Sequence, residues 1–237
     1  MATRDDVLAE LGLLPRWRLR TPAHAIDPAG PEDRLIRIAR LPWSEIDEHI
    51  AQCTACGLCR TRHRTVPGVG DTSAEWLFIG EAPGAEEDAR GEPFVGQAGK
   101  LLDNMLAALG MNRGEKVYIA NVLKCRPPNN RAPEPREVEA CRPYLDRQIA
   151  LIAPKIIVAL GRSAATTLLE ADASIASLRG RVHRYRGVPL VVTYHPAYLL
   201  RNLPDKAKAW EDLLFARQTL RAAAVTDVPP RAGSLPL

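Results

Sequence analysis

Three polar residues with complementary chemistry each stand directly after a short apolar run: Glu81 after Trp76–Gly80, Asn121 after Val117–Ala120, and His195 after Val188–Tyr194. A fourth run, Lys155–Leu160, ends in Gly161. A carboxylate can orient or deprotonate a water, a carboxamide can accept and donate at once, and an imidazole can donate to an oxygen that gains charge. Such chemistry needs the three side chains in one place, and the runs say how they get there. Rich in Val, Ile and Leu and separated by helical periods, the runs read as parallel strands buried on both faces. In open sheets of that kind the ligand sits in the crevice beyond the carboxyl ends of the strands. Acid, amide and imidazole are therefore expected at one mouth. The expected fold class is α/β, three layers deep, with a four-stranded parallel sheet in the middle.

The remaining segments fit around that sheet. Residues 1–40 read as an appendage without assignable chemistry, with a short helix over Asp5–Leu14 and an Arg- and Pro-rich stretch to Arg34. A single domain is expected over residues 41–224, opening with a helix through Ile46 and Ile50 into Cys53. A Gly- and acid-rich loop spans Gly80–Gly99. Helix Lys100–Leu109 follows, its apolar Leu101, Leu102, Met105, Leu106 and Leu109 on the helical period. A Pro-rich loop, Arg126–Pro135, leads into a helical stretch to Ile152 that Pro143 should kink or restart. Helix Arg162–Leu169 comes next. A last amphipathic helix near Asp205–Ala224 is expected to bury Trp210, Leu213, Leu214 and Leu220, and residues 225–237 read as a disordered tail.

The 237 residues carry a formal net charge of +4 and a sequence pI of about 8.9, with arginine far outnumbering lysine. That balance permits a polyanionic partner without proving one. No stretch approaches the roughly 18–20 apolar residues of a membrane span, and Met1–Arg20 lacks a signal-peptide pattern, so a cytoplasmic protein is expected. The five cysteines then argue for metal, catalysis or plain burial over disulfides. Cys53-x2-Cys56 and Cys125-x15-Cys141 make two pairs, with Cys59 left over. Two pairs from distant parts of a chain can complete four-thiolate coordination. Zinc would prefer a second tight knuckle, which Cys125 and Cys141 do not form. A ferredoxin-like loop beginning Cys53–Cys56–Cys59 would need a fourth cysteine where His63 stands. A four-cysteine iron–sulfur cluster is favoured over zinc, with inert buried thiols as the plain alternative. Gly96–Lys100 does not make a phosphate loop, because Phe94 and Leu101 occupy the positions that need glycine and Ser or Thr.

Several strings carry a family resemblance: Gly80-Glu81-Ala82-Pro83-Gly84 with Glu87-Asp88; Gly91-x-Pro93-Phe94-Val95-Gly96-x-Ala98-Gly99-x-Leu101-Leu102; Asn121-x-x-Lys124-Cys125-Arg126-Pro127-Pro128-Asn129-Asn130-Arg131-x-Pro133; and His195-Pro196-Ala197-Tyr198-Leu199-Leu200-Arg201. In order and spacing, from about Ile50 to Arg217, they resemble the family 4 uracil-DNA glycosylases, the iron–sulfur branch of the uracil-DNA glycosylase superfamily. The resemblance implies a four-stranded parallel sheet flanked by helices and base-excision repair of uracil-containing DNA, single- or double-stranded. It also implies a [4Fe-4S] cluster on Cys53, Cys56, Cys125 and Cys141, taken here as structural, and a monomer is expected.

The resemblance also distributes roles. Asn121 would read the base, accepting from uracil N3–H and donating to O4, a pattern that cytosine inverts. His195 would donate to uracil O2 as charge develops. Glu81 is the first candidate to handle the water and Glu87 the second, since the related family 1 enzymes carry an aspartate where this chain has Ala82. Phe94 would stack on the flipped base, and Ala82 and Asn130 would lie beside it. Leu199, Leu200 and Arg201 resemble the loop that fills the gap left by an extruded base, and Arg131 in the Pro-rich loop would meet phosphate. That loop lacks the basic insertion of the crosslinking relatives, so no covalent trapping is expected. Removal of a second deaminated base, a non-catalytic DNA-binding module and an electron carrier are the rival readings.

Overall fold

The computed structural model describes Glu10 and residues 31–226. The helix expected over Asp5–Leu14 lies, Glu10 apart, outside the described residues, as does the tail beyond Thr226. Six strands form one sheet: β1 (Val69–Gly70), β2 (Trp76–Gly80), β3 (Val117–Asn121), β4 (Ile156–Leu160), β5 (His183–Tyr185) and β6 (Val188–Thr193), in the order β1-β3-β2-β4-β6-β5. The four expected runs are its parallel centre, β3-β2-β4-β6. The expected count of four is corrected by two short antiparallel edges, β1 on β3 and β5 on β6. Both are too short and too exposed to stand out as apolar runs. The β5–β6 hairpin turns through Arg186 and Gly187, both at positive φ (49° and 84°), the conformation of a two-residue primed turn usually announced by Asn-Gly.

Alternate strand residues feed opposite layers. Leu77, Ile79, Tyr118, Ala120, Ile157, Ala159, Leu190 and Val192 pack against α5 (Pro135–Ile152) and α6 (Arg162–Leu169) through Leu145, Ile149 and Leu168. Trp76, Phe78, Val117, Ile119, Ile156, Val158 and Val191 face α4 (Gln97–Ala108) and α9 (Asp205–Thr226) through Leu102, Leu106, Leu213 and Ala216. Among the described residues the other α-helices are α1 (Pro31–Arg40), α2 (Trp43–Ala51), α3 (Ala85–Arg90), α7 (Ile175–Leu178) and α8 (Pro196–Leu199), with 3-10 turns at Gly57–Arg60 and Pro128–Asn130.

Three expectations need correction. Helix α5 does not restart at Pro143 but continues to Ile152; buried Tyr144, Leu145 and Ile149 on the following turns hold it against its neighbours, which outweighs the lost backbone bond. On α9 the buried stripe is Ala209, Asp212, Leu213 and Ala216, while Trp210 is 36% exposed and Leu214 and Leu220 are half-buried. Asp212 is admitted because Arg179 Nε donates to it at 2.6 Å. Finally, the end of the expected appendage is helix α1, whose Ile38 packs with Ile46, Ile50 and Tyr144.

Candidate active site

At the carboxyl ends of β2, β3 and β6 lies a cleft of about 540 Å³. Glu81, Ala82, Glu87, Phe94, Asn121, Asn130, Arg131, His195 and Arg201 all line it. The parallel register sets Gly80 beside Asn121 and Leu160 beside Thr193, so Glu81 follows next to the amide while His195 leaves the sheet two strands away. Gly161, at the end of the intervening strand β4, has φ 93°, and a Cβ there would sit 2.8 Å from His195 Cβ. With that position bare, the imidazole leans over the end of β4 towards Phe94, ring centroids 5.6 Å apart and planes at 30°.

Asn121 is 2% exposed, and its Oδ1 is a buried acceptor with no hydrogen-bond partner. An unmet buried acceptor costs about 1–3 kcal/mol, which a ligand donor would recover. The space is tightly defined: a Cβ on Gly80 would lie 2.4 Å from that Oδ1 and 2.7 Å from Phe94 Cζ. Phe94, buried at φ 55°, thus sets its ring against both the amide and the imidazole.

His195 caps α8, its Nδ1 accepting the Ala197 backbone N–H at 3.1 Å. Nδ1 being the acceptor, the ring proton of the neutral form sits on Nε2. Burial pulls the imidazole down to about 4, with the Arg201 charge acting in the same direction and Glu87 against it. His195 is therefore a neutral donor at physiological pH.

The two candidate carboxylates differ in occupation. Glu87 accepts three backbone N–H groups, from Gly84 (3.1 Å), Val95 (3.0 Å) and Gly96 (3.2 Å). It ties the loop after β2 to the loop carrying Phe94, so both of its oxygens are already occupied by backbone donors. Among the described residues the Glu81 carboxylate makes no hydrogen bond or ion pair with the protein, so it is the group open to solvent in the cleft.

The expected DNA contacts sort similarly. Leu199 is 1% exposed and packs with Tyr194 and Ala209, so it is core and not a wedge. Leu200, 42% exposed, and the exposed Arg201 remain at the surface. Arg131 lines the cleft, but its guanidinium is committed to Glu137 (2.6 and 2.9 Å), which makes it a loop brace first. Asn129 and Asn130 stand in succession at positive φ (55° and 54°), a conformation asparagine tolerates well. Arg126 Nε holds Asn130 Oδ1 at 2.7 Å.

A second pocket is lined by Cys53, Cys56, Cys125 and Cys141 together with Ile50, Leu58 and Tyr144. Cys59 does not line it. All five cysteines are free thiols. Among the described residues no three His, Cys, Asp or Glu side chains converge closely enough to hold one metal ion. Four cysteines share this pocket, and thiolates are the ligands of structural zinc and of iron–sulfur clusters alike. The donors fit an anionic, sulfur-rich group: Arg62 Nη1 donates to Cys125 Sγ at 3.1 Å and the Lys124 backbone N–H to Cys141 Sγ at 3.3 Å. Burial holds the thiols of Cys125 and Cys141 up at about 11 and about 12, so binding a metal there must expel protons.

Lys124 and Arg62 were not singled out from the sequence. Lys124 is fully buried, and its Nζ donates to the Asn121 carbonyl at 2.9 Å; the one signal for it was a lysine inside the apolar run from Val117 to Cys125. Nothing separates Arg62 from Arg60 and Arg64 in the sequence.

Residues 67–214 match the Uracil DNA glycosylase superfamily, and the chain belongs to that superfamily. The type-4 uracil-DNA glycosylase of Archaeoglobus fulgidus is 49% identical over 164 residues, 66% of this chain and 82% of the relative. The type-4 protein of Thermotoga maritima is 46% identical over 180 residues, covering 74% and 93% of the two chains. A type-5 uracil-DNA glycosylase of Thermus thermophilus is 34% identical over 155 residues, 56% of this chain and 68% of that one. Within the superfamily the chain is a member of the type-4 family. No helix among the described residues is long and apolar enough to cross a membrane.

Proposed function

We propose that the protein is a DNA-repair glycosylase that hydrolyses the bond between uracil and deoxyribose in DNA and leaves an abasic site. The observation that carries this reading is the orphaned Oδ1 of Asn121 at the bottom of a cleft that also holds a neutral, Nε2-protonated His195. Taking the nucleotide out of the stack costs a few kcal/mol. Leu200 would fill the vacated space while Arg201 meets the backbone. In the cleft, Oδ1 of Asn121 accepts from uracil N3–H and its amide N–H donates to O4. Cytosine presents a bare N3 and a donor amine instead, leaving buried groups unpaired.

As the C1′–N1 bond breaks, its electron pair goes to the base and charge collects on O2, where His195 Nε2–H donates. A water oriented by Glu81 adds to the sugar carbon and gives up its proton to that carboxylate. Phe94 supplies the wall against which the base face lies. Cys53, Cys56, Cys125 and Cys141 would hold a [4Fe-4S] cluster, whose contribution when bound is to tie distant chain segments together. Cys125 ends the segment that begins at Asn121, and Arg126–Pro135 starts where it stops, so that anchor fixes both the reading amide and the loop bearing Asn130.

Incubating the protein with single- and double-stranded oligonucleotides that carry one uracil, then adding alkali, should cut both strands types at the uracil. No alkali-labile site on either would overturn the reading in favour of a binding module. The state of His195 sets the pH dependence. Its pKa lies below the ordinary value, so the required neutral form persists as pH falls from 8 to about 5 and is lost only near 4. Single-turnover excision should therefore hardly change across pH 5.5–7.5 by order of magnitude, roughly the range in which an unperturbed histidine would titrate. A fall in rate centred near 6.5 would show that the imidazole is not the buried neutral donor described.

A further inference from the structure

Phe94 holds a backbone conformation that bulky residues avoid, φ 55°. Such a conformation persists only where its surroundings impose it. Arg113, in the turn between α4 and β3, does this. Its Nη1 donates to the Pro93 carbonyl at 2.8 Å and its Nη2 to the Phe94 carbonyl. Its Nε donates to Asp103 Oδ1 on α4, and Glu92 Oε1 stands 3.6 Å from Nη1. The side chain is 19% exposed and does not line the cleft. From the opposite direction the first turn of α4 presses on the same peptide, where a Cβ on Gly99 would lie 1.7 Å from the Phe94 carbonyl oxygen. Two successive carbonyls and a carboxylate are gripped by one planar fork, a pattern of donors that lysine cannot reproduce.

We propose that Arg113 is a positioning residue for uracil excision: it clamps the Pro93–Phe94 backbone and so sets the gap between the Phe94 ring and the Asn121–His195 pair. The proposal rests on the glycosylase reading. The gap has no slack, since Phe94 Cζ and Asn121 Oδ1 crowd the same face of Gly80 and the imidazole lies 5.6 Å from the ring centroid. Without the fork, both carbonyls lose their donors and the Phe94–Val95 peptide keeps only its N–H tether to Glu87, so φ of Phe94 relaxes and the ring swings. A displacement of about 1 Å at a reacting centre can cost about 10²-fold in rate.

The test uses the full-length protein and a uracil-containing oligonucleotide under single-turnover conditions. Arg113→Ala should lower the maximal excision rate by about 10²-fold while the half-saturating DNA concentration moves by less than about twofold, because Arg113 touches no cleft surface. Arg113→Lys should recover only part of the loss. In a Phe94→Ala background, Arg113→Ala should cost less than about threefold more, since the ring it positions is gone. Should Arg113→Ala fold poorly, Asp103→Ala, which removes the acceptor of the Arg113 Nε–H, should show the same split at smaller size. A wild-type rate in Arg113→Ala, or an undiminished cost in the Phe94→Ala background, would overturn the clamp. A wild-type protein that releases no uracil would instead overturn the glycosylase reading on which it rests.

Discussion

Asn121→Ala is expected to lower uracil excision by about 10³-fold or more while leaving unchanged any visible absorbance that the proposed iron–sulfur cluster gives the wild type. The size follows from burial. The wild-type Oδ1 is sealed from water and unpartnered until a base arrives, so the free protein carries a desolvated acceptor whose pairing is realised only with substrate. Removing the amide takes away that recovery and leaves uracil N3–H and O4 unpaired in the cleft instead. Asn121→Asp should fail similarly, because an ionised carboxylate accepts at both oxygens and cannot donate to O4. The fold should survive either change: Asn121 belongs to the sheet through its backbone, paired with Gly80, and Lys124 Nζ holds its carbonyl and not its side chain. The check is a single-turnover rate for each variant together with an absorbance spectrum and a melting curve. Unchanged turnover in either variant would remove Asn121 from base reading.

If the proposed cluster is bound, Cys125→Ala is expected to bleach the brown colour that the cluster would give and sharply reduce soluble yield. Cys125 joins three elements. It follows the β3–Asn121 segment, opens the loop to Pro135, and receives the Arg62 guanidinium that also donates to the Cys53 and Ala51 carbonyls. Losing one thiolate of the proposed four would undo the cross-link that the cluster would make between the segment after α2, that loop and α5. It also leaves Arg62 with one partner fewer and frees a long loop whose ordering the cluster would have supplied. Iron and sulfide analysis beside yield and visible absorbance provides the check. A variant that keeps full colour and iron would mean that Cys125 is not a ligand, and a colourless wild-type protein with full activity would mean that no cluster is needed.

Part of the lining of the cleft was legible in the sequence. Glu81, Asn121 and His195 could be placed together because each ends an apolar run, and parallel strands put such ends at one mouth; the structure brings all three into one cleft. The four cysteines were pairable by spacing alone, and they line one pocket. What stayed hidden depends on tertiary partners. Leu199 and Leu200 are adjacent and chemically identical, and only packing against Tyr194 and Ala209 tells the core residue from the exposed one. Glu87 reads as a possible base until its three backbone donors are seen. Arg131 reads as a phosphate contact until Glu137 is found beneath it. Arg113 had no local signal, since the carbonyls it grips lie about twenty residues upstream. The edge strands β1 and β5 escaped because pairing, not hydrophobicity, makes them strands.

The most direct measurement is a crystal structure of the protein with free uracil. The base should lie against the Phe94 ring, its N3–H donating to Asn121 Oδ1 and its O2 accepting from His195 Nε2, with the imidazole still capped at Nδ1 by Ala197. Uracil bound elsewhere, or bound here with the Asn121 carboxamide turned away from its N3–O4 edge, would show that the three side chains do not form one base-reading cavity.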